Sequence, residues 1–184
     1  TKQLQYTWLR SLMKRHVDFW QLTTDALDYA LDTVGVSDPA LRQKLLDLYL
    51  QLDAYVEVKD VLTALKDAGL KTAILSNGSP DMLTSAVQNA GLDKLLDVSL
   101  SVEDVGIYKP DPSVYQMALD HFSITPQEVS FQSSNAWDAA GAATFGFRVV
   151  WVNRFDQAPE RLPDQPDFEV KTLSELPGIL GITA

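Results

Sequence analysis

The strongest constraint on the fold is a regular alternation of short apolar strands and amphipathic helices that begins near Val58 and continues to the end of the chain. Apolar runs predict strands at 71–75, 98–101, 129–132, 148–152 and 168–170. Helical patterns bounded by Pro or Gly separate most of these runs. Strands that are joined through helices pair in parallel with right-handed crossovers. The sequence therefore predicts an α/β fold with a Rossmann-like parallel sheet.

The first fifty residues lack this alternation and show helical periodicity instead. Apolar side chains recur at helical spacing in the stretches 4–12, 22–30 and 41–50. The chain is therefore predicted to consist of two parts, a helical cap subdomain at 1–54 and a Rossmann-like core domain at 55–184.

Two capping signals mark places where helical turns begin. Asp38 followed by Pro39 is typical of an N-cap and first helical position, which starts the third helix of the cap. Thr125-Pro126-Gln127-Glu128 matches a capping box and indicates one helical turn before the strand at 129–132.

The charge balance limits the classes of partner. The 184 residues carry 15 Lys and Arg against 25 Asp and Glu, a formal net charge of −10. Such a chain is not expected to bind the phosphate backbone of nucleic acids. No apolar run approaches the ~20 residues of a membrane span and no signal peptide is recognisable, so we expect a cytoplasmic protein without a membrane partner.

The sequence shows no grouping of the residues that usually bind metal ions. Cysteine is absent, which excludes disulfides, thiolate catalysis and Cys-ligated metals within these residues. His16 and His121 stand apart without metal-ligand spacing. We therefore predict no metal site and no cofactor.

Three loops that follow predicted strands carry polar side chains, namely Ser76-Asn77, Lys109 and the stretch Ser133 to Asp138. The carboxyl ends of parallel strands meet at one edge of the sheet, where ligands bind. Each signal is weak alone, because Ser-Asn-Gly is a common turn and Asp138 can simply be a favourable charge at a helix start. Their expected co-location favours a functional site in which Lys109 keeps Asp138 ionised and pairs with an anionic group.

Four segments carry a family resemblance. They are Leu75-Ser76-Asn77-Gly78-Ser79, Tyr108-Lys109-Pro110-Asp111, Ser133-Ser134-Asn135-Ala136-Trp137-Asp138 and, in the helical part, Leu4-Gln5-Tyr6-Thr7-Trp8-Leu9-Arg10-Ser11. Together they resemble the haloacid dehalogenase superfamily and, more narrowly, its L-2-haloacid dehalogenases. Related phosphatases usually carry Asp-x-x-x-Asp in the third segment to hold Mg²⁺. Here Ser134 takes the first of those positions, so a hard dication loses a ligand.

The resemblance implies a hydrolytic, metal-independent reaction on a small anionic substrate, an (S)-2-haloalkanoic acid. An aspartate carboxylate attacks C2 and displaces halide with inversion, and water then hydrolyses the aspartyl ester to give the (R)-2-hydroxy acid. A haloacid bears one negative charge, so no dication is needed to neutralise a phosphoryl group.

The resemblance also implies which residues bind the substrate. Ser76 is expected to bind the substrate carboxylate, and Asn77 to donate its amide N–H to the departing halide. Leu4, Phe19 and Trp137 resemble the family's apolar wall around the alkyl and halogen groups. For Leu4 and Phe19, ordinary helix packing is an equally good interpretation.

The implied catalytic residues lie in the other two loops. Lys109 is expected to pair with the nucleophile's carboxylate and keep it ionised. Ser133, Asn135 and Asp138 are expected to position the hydrolytic water and the ester, with Asp138 as the base. Tyr115 is expected either to support Lys109 or to pack in the core.

One expected motif does not occur in the sequence. The superfamily's nucleophile lies at the end of an N-terminal strand in the pattern Asp-x-x-Gly-Thr, and the nearest match, Asp32-Thr33-Val34-Gly35-Val36, lies in the helical part. An arginine that serves the family as a halide ligand is also absent. By analogy with the family, we expect roughly forty further N-terminal residues in the natural protein. The 184 residues alone are expected to be inactive and to leave long unpaired sheet edges.

Two alternatives and one assembly prediction remain open. A Mg²⁺-dependent phosphatase of the same fold is disfavoured by Ser134. A non-catalytic binding protein that has lost its nucleophile would have no need to retain the four implied catalytic residues together. The resemblance also implies a homodimer, for which the leucines of 41–50 either supply the interface or pack within the cap.

Overall fold

A computed structural model describes residues 1–182 of the protein. Within them the α-helices are α1 (Lys2–Met13), α2 (Phe19–Thr33), α3 (Pro39–Asp47), α4 (Val58–Asp67), α5 (Pro80–Ala90), α6 (Pro112–Phe122), α7 (Ala136–Phe145) and α8 (Leu176–Ile179). The strands are β1 (Ala73–Ser76), β2 (Val98–Ser101), β3 (Ser130–Ser133), β4 (Arg148–Val152) and β5 (Phe168–Val170). Short 3-10 helices occupy Leu48–Leu50, Val102–Asp104, Pro126–Glu128 and Leu173–Glu175.

The helical part forms as its periodicity predicts, from α1, α2, α3 and the 3-10 turn that follows. Asp38 caps α3, because its carboxylate accepts hydrogen bonds from the backbone N–H groups of Ala40 and Leu41. α1 and α2 pack together, and Arg10 on α1 pairs with Asp25 on α2 at 2.8 Å. The boundary at 54/55 remains a prediction; residues 51–57 lie between the last helical turn of this part and α4.

All five predicted strands form, displaced by at most two residues, and every pair is parallel. β4 is buried on both faces, which is usual for a parallel sheet covered by helices. Val149 and Trp151 join an apolar cluster with residues of α6 and α7, whereas Val150 and Val152 join one with residues of α4 and α8. Alternate side chains of one strand thus serve two cores, in a helix–sheet–helix arrangement.

The sheet is divided into two parts, β1-β2 and β3-β4-β5. Among the described residues no strand pairs with the facing edges of β1 and β3, and a cavity of about 1190 Å³ lies there. Its lining includes 71–78 on one side and 128–135 on the other. The apolar side chains of Leu65, Phe147 and Leu176 also border it. The unpaired edges of β1 and β3 agree with the expectation, drawn from the absence of an Asp-x-x-Gly-Thr strand, that the sheet has unpaired edges.

Two groups of contacts fix the helical part and its connection to the core. Glu103, after β2, accepts hydrogen bonds from the backbone N–H of Phe19 at 2.9 Å and from His16 Nε2 at 2.8 Å. Glu57, before α4, bonds to the Arg154 guanidinium, which lowers the pKa of Glu57 to about 2. Both groups of contacts lie near the carboxyl edge of the sheet. The Glu103 contacts hold the start of α2 there, and the Glu57–Arg154 pair fixes the start of α4.

None of the helices in the described chain combines the length and the apolar character that crossing a bilayer requires.

Candidate active site

The three polar loops meet at the carboxyl edge of the sheet, as predicted. The side-chain oxygen of Asn77 accepts a hydrogen bond from the backbone N–H of Lys109 at 3.1 Å. Lys109 Nζ lies 3.0 Å from Asp138 Oδ2 in a pair whose members are each 5% exposed. One continuous set of contacts therefore joins the loops after β1, β2 and β3.

The carboxylate of Asp138 is held from three directions. Its Oδ2 atom accepts from Lys109 Nζ and from the hydroxyl of Ser133, both at 3.0 Å. Its Oδ1 atom accepts from the hydroxyl of Tyr115 at 2.9 Å. Asp138 also lies in the first turn of α7, where the helix dipole favours a negative charge. The orientation of this carboxylate is thus fixed by three side chains.

Burial governs the protonation of the two partners of Asp138. It lowers the pKa of Lys109, and the adjacent Asp138 carboxylate opposes that shift. Burial raises the pKa of Tyr115, and the Asp138 carboxylate raises it further. Tyr115 therefore stays protonated and donates. Lys109 Nζ also lies 4.8 Å from the centroid of the Phe131 ring, a favourable position for a cation.

The Ser76-Asn77-Gly78 loop presents donors toward the cavity. The oxygen of the Ser76 hydroxyl accepts from the N–H of Gly78 at 3.0 Å, which leaves the hydroxyl proton available to a ligand. Asn77 uses its oxygen for Lys109, so its NH₂ group is the part left for a ligand. Both residues line the cavity, as expected of substrate-binding groups.

The turn after β3 is organised by Ser133. Its hydroxyl donates to Asp138 and accepts from the backbone N–H of Asn135 at 3.2 Å. Asn135 is exposed and lines the cavity, and its side chain makes no hydrogen bond within residues 1–182. Asn135 is thus placed to contact a ligand or water.

The three predicted apolar residues also border the cavity. Leu4 and Phe19 are half-buried and line the cavity, and Phe19 also packs against a cluster that includes Leu22 and Tyr108. Trp137 packs edge-on against Trp8 with ring centroids 5.5 Å apart. Its indole Nε1–H is buried and has no hydrogen-bond partner in the described part of the chain.

Two contacts were not predicted from the sequence. Tyr115 is expected to support Lys109 or to pack in the core, but its direct bond to Asp138 joins residues of α6 and α7 and has no local sequence signal. Ser101 donates its buried hydroxyl to the carbonyl oxygen of Gly78 at 2.7 Å and so fixes the Ser76-Asn77-Gly78 loop. Its position at the carboxyl end of a predicted strand could have indicated it.

The residues present do not fit a Mg²⁺ site of the phosphatase type. Over residues 1–182, no three His, Cys, Asp or Glu side chains come together in a way that could hold a metal ion. Ser134 stands where a second acid would lie, and Asp138 is occupied by Lys109, Ser133 and Tyr115.

The nearest match to a nucleophile motif is not part of this site. Asp32 lies exposed near the end of α2, at the opposite end of that helix from Phe19, the cavity-lining residue at its start.

Comparison with known proteins places the chain among close relatives. A family model described as haloacid dehalogenase-like hydrolase matches residues 3–146. (S)-2-haloacid dehalogenase 1 of Pseudomonas sp. (strain CBS-3) is 48% identical over 180 residues, which cover 97% of this chain and 79% of that protein.

Two solved structures have the same fold over the whole chain. The crystal structure of a dehalogenase is 44% identical with a TM-score of 0.95, and the match covers 100% of this chain and 81% of that one. L-2-haloacid dehalogenase from Xanthobacter autotrophicus, with chloropropionic acid covalently bound, is 38% identical with a TM-score of 0.91. That match covers 100% of this chain and 84% of the Xanthobacter chain.

Proposed function

This chain belongs to the haloacid dehalogenase-like hydrolases, and we propose that it acts as an (S)-2-haloacid dehalogenase, a hydrolase of carbon–halide bonds. The reaction converts an (S)-2-haloalkanoic acid and water into the (R)-2-hydroxy acid and halide. The observation that carries this proposal is the buried Lys109–Asp138 pair, completed by Ser133 and Tyr115, beside a cavity lined by Ser76 and Asn77.

The buried pair suits a reaction in which two anions approach each other. A carboxylate nucleophile and a haloacid each carry one negative charge, and their encounter in a low-dielectric cavity is unfavourable without a cation. The Lys109 ammonium supplies that charge at a fixed position, because Asp138 and the Phe131 ring hold it. A haloacid therefore needs no metal ion here.

Substrate binding uses the loop after β1 and the apolar wall. The Ser76 hydroxyl donates a hydrogen bond to the substrate carboxylate, and the Asn77 NH₂ group donates one to the halide as it leaves. Leu4, Phe19 and Trp137 surround the alkyl and halogen groups. These assignments rest on the position of all five residues around one cavity.

The nucleophile is an aspartate carboxylate on an extended segment that pairs with the open edges of β1 and β3. None of the 184 residues occurs in an Asp-x-x-Gly-Thr pattern, and the cavity is bordered by strand residues on both sides. A carboxylate oxygen of that aspartate forms a bond to C2 while the C2–halogen bond breaks, and the bonding electron pair leaves with the halide.

Hydrolysis of the resulting ester uses the turn after β3. Asn135 orients a water molecule whose oxygen bonds to the carbonyl carbon of the ester while Asp138 accepts its proton. The bond from that carbon to the substrate oxygen then breaks, and the departing oxygen takes the proton from Asp138 to give the 2-hydroxy acid. Ser133 and Tyr115 hold the Asp138 carboxylate in a fixed orientation through hydrogen bonds, while Lys109 stabilises the developing negative charge. The regenerated aspartate is again paired with Lys109.

A direct test compares two proteins with (S)-2-chloropropionate as substrate. One is the 184-residue chain, and the other is the same chain preceded by an added N-terminal segment that carries an Asp-x-x-Gly-Thr nucleophile motif. We expect the second protein to release chloride and form (R)-lactate with chelator present, and the first to release none. The matched control is the second protein with the motif aspartate changed to asparagine, which should be inactive.

Three outcomes would contradict this proposal. Turnover by the 184 residues alone would place the nucleophile within them. Release of phosphate from a phosphate ester with strict Mg²⁺ dependence, and no chloride release, would indicate a phosphatase. A well-folded extended protein with neither activity would favour a binding protein.

A homodimer is the proposed assembly, and α1 supplies part of its interface. Leu9, Leu12 and Met13 lie on one face of α1 and are 41%, 80% and 61% exposed. Such an exposed apolar row is typical of a surface that another protein covers.

We expect sedimentation equilibrium to give twice the chain mass, and Leu12→Asp to give the monomer mass. Val56→Asp, at an exposed apolar residue outside α1, should leave the dimer intact, and a wild-type monomer would refute the assembly.

The cytoplasmic location remains a prediction. Assaying dehalogenase activity in the cytoplasmic and periplasmic fractions of cells measures it, and activity confined to the periplasm would contradict it.

A further inference from the structure

We propose that Gly141 is a positioning residue, which leaves a notch on α7 that holds Pro110 and the Tyr115 hydroxyl, the group that bonds to Asp138. The mechanistic consequence rests on the proposed function, because Asp138 and its partners act in that reaction. The geometric part of the proposal stands on its own and can be measured without turnover.

Glycine at this position is not explained by the backbone. Gly141 lies in the interior of α7 with an ordinary negative φ, and its neighbours Ala139, Ala140, Ala142 and Ala143 are all good helix formers. A glycine in a helix interior destabilises the helix relative to alanine. We therefore attribute the glycine to a lack of room for a side chain at this position.

The space is occupied by two groups from the segment between β2 and α7. A Cβ atom on Gly141 would lie 2.6 Å from the Tyr115 hydroxyl oxygen and 2.8 Å from Pro110 Cβ. Ordinary contacts begin near 3.4 Å, so the hydroxyl would have to retreat by about 0.8 Å. Tyr115 is 0% exposed and is therefore enclosed on all sides, whereas Pro110 is exposed and follows the buried Lys109.

Both groups are connected to Asp138, one by a hydrogen bond and the other through the neighbouring Lys109. The Tyr115 hydroxyl bonds to Asp138 Oδ1 at 2.9 Å, and Pro110 follows Lys109, whose Nζ lies 3.0 Å from Oδ2. Gly141 is three residues after Asp138 and hence on the same face of α7. A methyl group at 141 would therefore move the Tyr115 hydroxyl from its position on Asp138 Oδ1, and it would displace Pro110, whose nitrogen is bonded to the carbonyl carbon of Lys109.

A purely structural role makes a different prediction from a positioning role. If Gly141 only allows α6 and α7 to pack, a methyl group lowers stability and leaves the turnover of the folded molecules unchanged. If it positions Tyr115 and Lys109 on Asp138, the folded molecules turn over more slowly, because misplacing reacting groups by ~1 Å costs about 100-fold in rate.

The kinetic test uses the complete enzyme with its nucleophile and (S)-2-chloropropionate. Gly141→Ala is expected to lower kcat about 10- to 100-fold with KM changed by less than about twofold. The control is Gly178→Ala, also a helical glycine, where a Cβ would meet nothing within 4 Å. That variant should keep wild-type kcat. Wild-type kcat in folded Gly141→Ala would overturn the proposal.

A double variant tests whether Tyr115 transmits the effect. Tyr115→Phe removes the atom that a methyl at 141 would strike first. The combined loss in Gly141→Ala/Tyr115→Phe should therefore be smaller than the product of the single losses. If Gly141→Ala alone is too unstable to assay, the double variant should be more stable, because the nearer of the two contacts is removed. Losses that simply multiply, or a double variant no more stable than Gly141→Ala, would overturn the role of Tyr115.

A spectroscopic readout separates this proposal from the proposed function. In protein labelled with [¹³Cζ]tyrosine, the resonance of Tyr115 is the one that disappears in Tyr115→Phe. It should shift in Gly141→Ala, because its hydrogen bond to Asp138 is lengthened, and stay in place in Gly178→Ala. If the wild-type enzyme proved inactive but the Tyr115 resonance still shifted in Gly141→Ala, the proposed function alone would be refuted. An unshifted resonance would refute the positioning role.

Discussion

Lys109→Met is expected to lower the turnover of (S)-2-chloropropionate by the complete enzyme about 10³-fold. The ammonium lies 3.0 Å from Asp138 and is proposed to neutralise the nucleophile, so its loss removes the cation that both steps require. Methionine has a similar length and fills the same space without charge. Chloride release under saturating substrate measures the effect.

The same change is expected to lower the free energy of unfolding by about 3–5 kcal/mol, because Asp138 is left buried without its partner. Lys94→Met is the matched control: Lys94 is exposed and forms no ion pair among residues 1–182, so both quantities should be unchanged. In Lys109→Met/Asp138→Asn the buried charge is gone, so stability should recover in part while turnover does not. Near-normal turnover in Lys109→Met would remove this residue from the mechanism.

Asp138→Asn is expected to lower turnover by about 10²- to 10⁴-fold, because an amide cannot accept the proton of the hydrolytic water. The first step does not need that base, so the aspartyl ester should form and accumulate. Mass spectrometry of the quenched enzyme should show an increase equal to the haloacid less the hydrogen halide. Asparagine keeps the size of the side chain, which limits the effect to charge and basicity.

The control for this variant is Asp93→Asn, an exposed acid that forms no ion pair in the described chain. It should show neither accumulation nor loss of turnover. If Asp138→Asn lost activity without accumulating ester, Asp138 would be needed for the displacement rather than for the hydrolysis. Thermal unfolding of both variants separates these effects from a loss of folded protein.

Local signals were sufficient for the elements and for the meeting of the three loops. Asp38 and Thr125 mark helical starts because capping depends on side chains within three residues, and the structure has both caps. Parallel topology brings the carboxyl ends of strands to one edge, so Asn77, Lys109 and Asp138 could be expected to lie together.

The remaining features depend on packing between elements that are distant in sequence. The hydroxyl of Tyr115 reaches Asp138 only because α6 lies against α7, and the notch at Gly141 follows from the same packing. The sequence left open whether Tyr115 supports Lys109 or packs in the core; in the structure it contacts Asp138 and also packs with Phe131 and Phe147. Such contacts have no period or spacing that a single sequence reveals.

The divided sheet makes the register of one strand decisive for catalysis. The nucleophile segment proposed to enter between β1 and β3 would be held chiefly by backbone hydrogen bonds, which do not distinguish one residue from the next. A slip by one residue would turn the aspartate to the other face of the sheet, and a slip by two would move it by about 6–7 Å, beyond the reach of Lys109. The ladder of main-chain hydrogen bonds thus sets the distance between the attacking oxygen and its counter-ion, and a mispaired strand would leave a folded protein with every catalytic side chain present and no reaction.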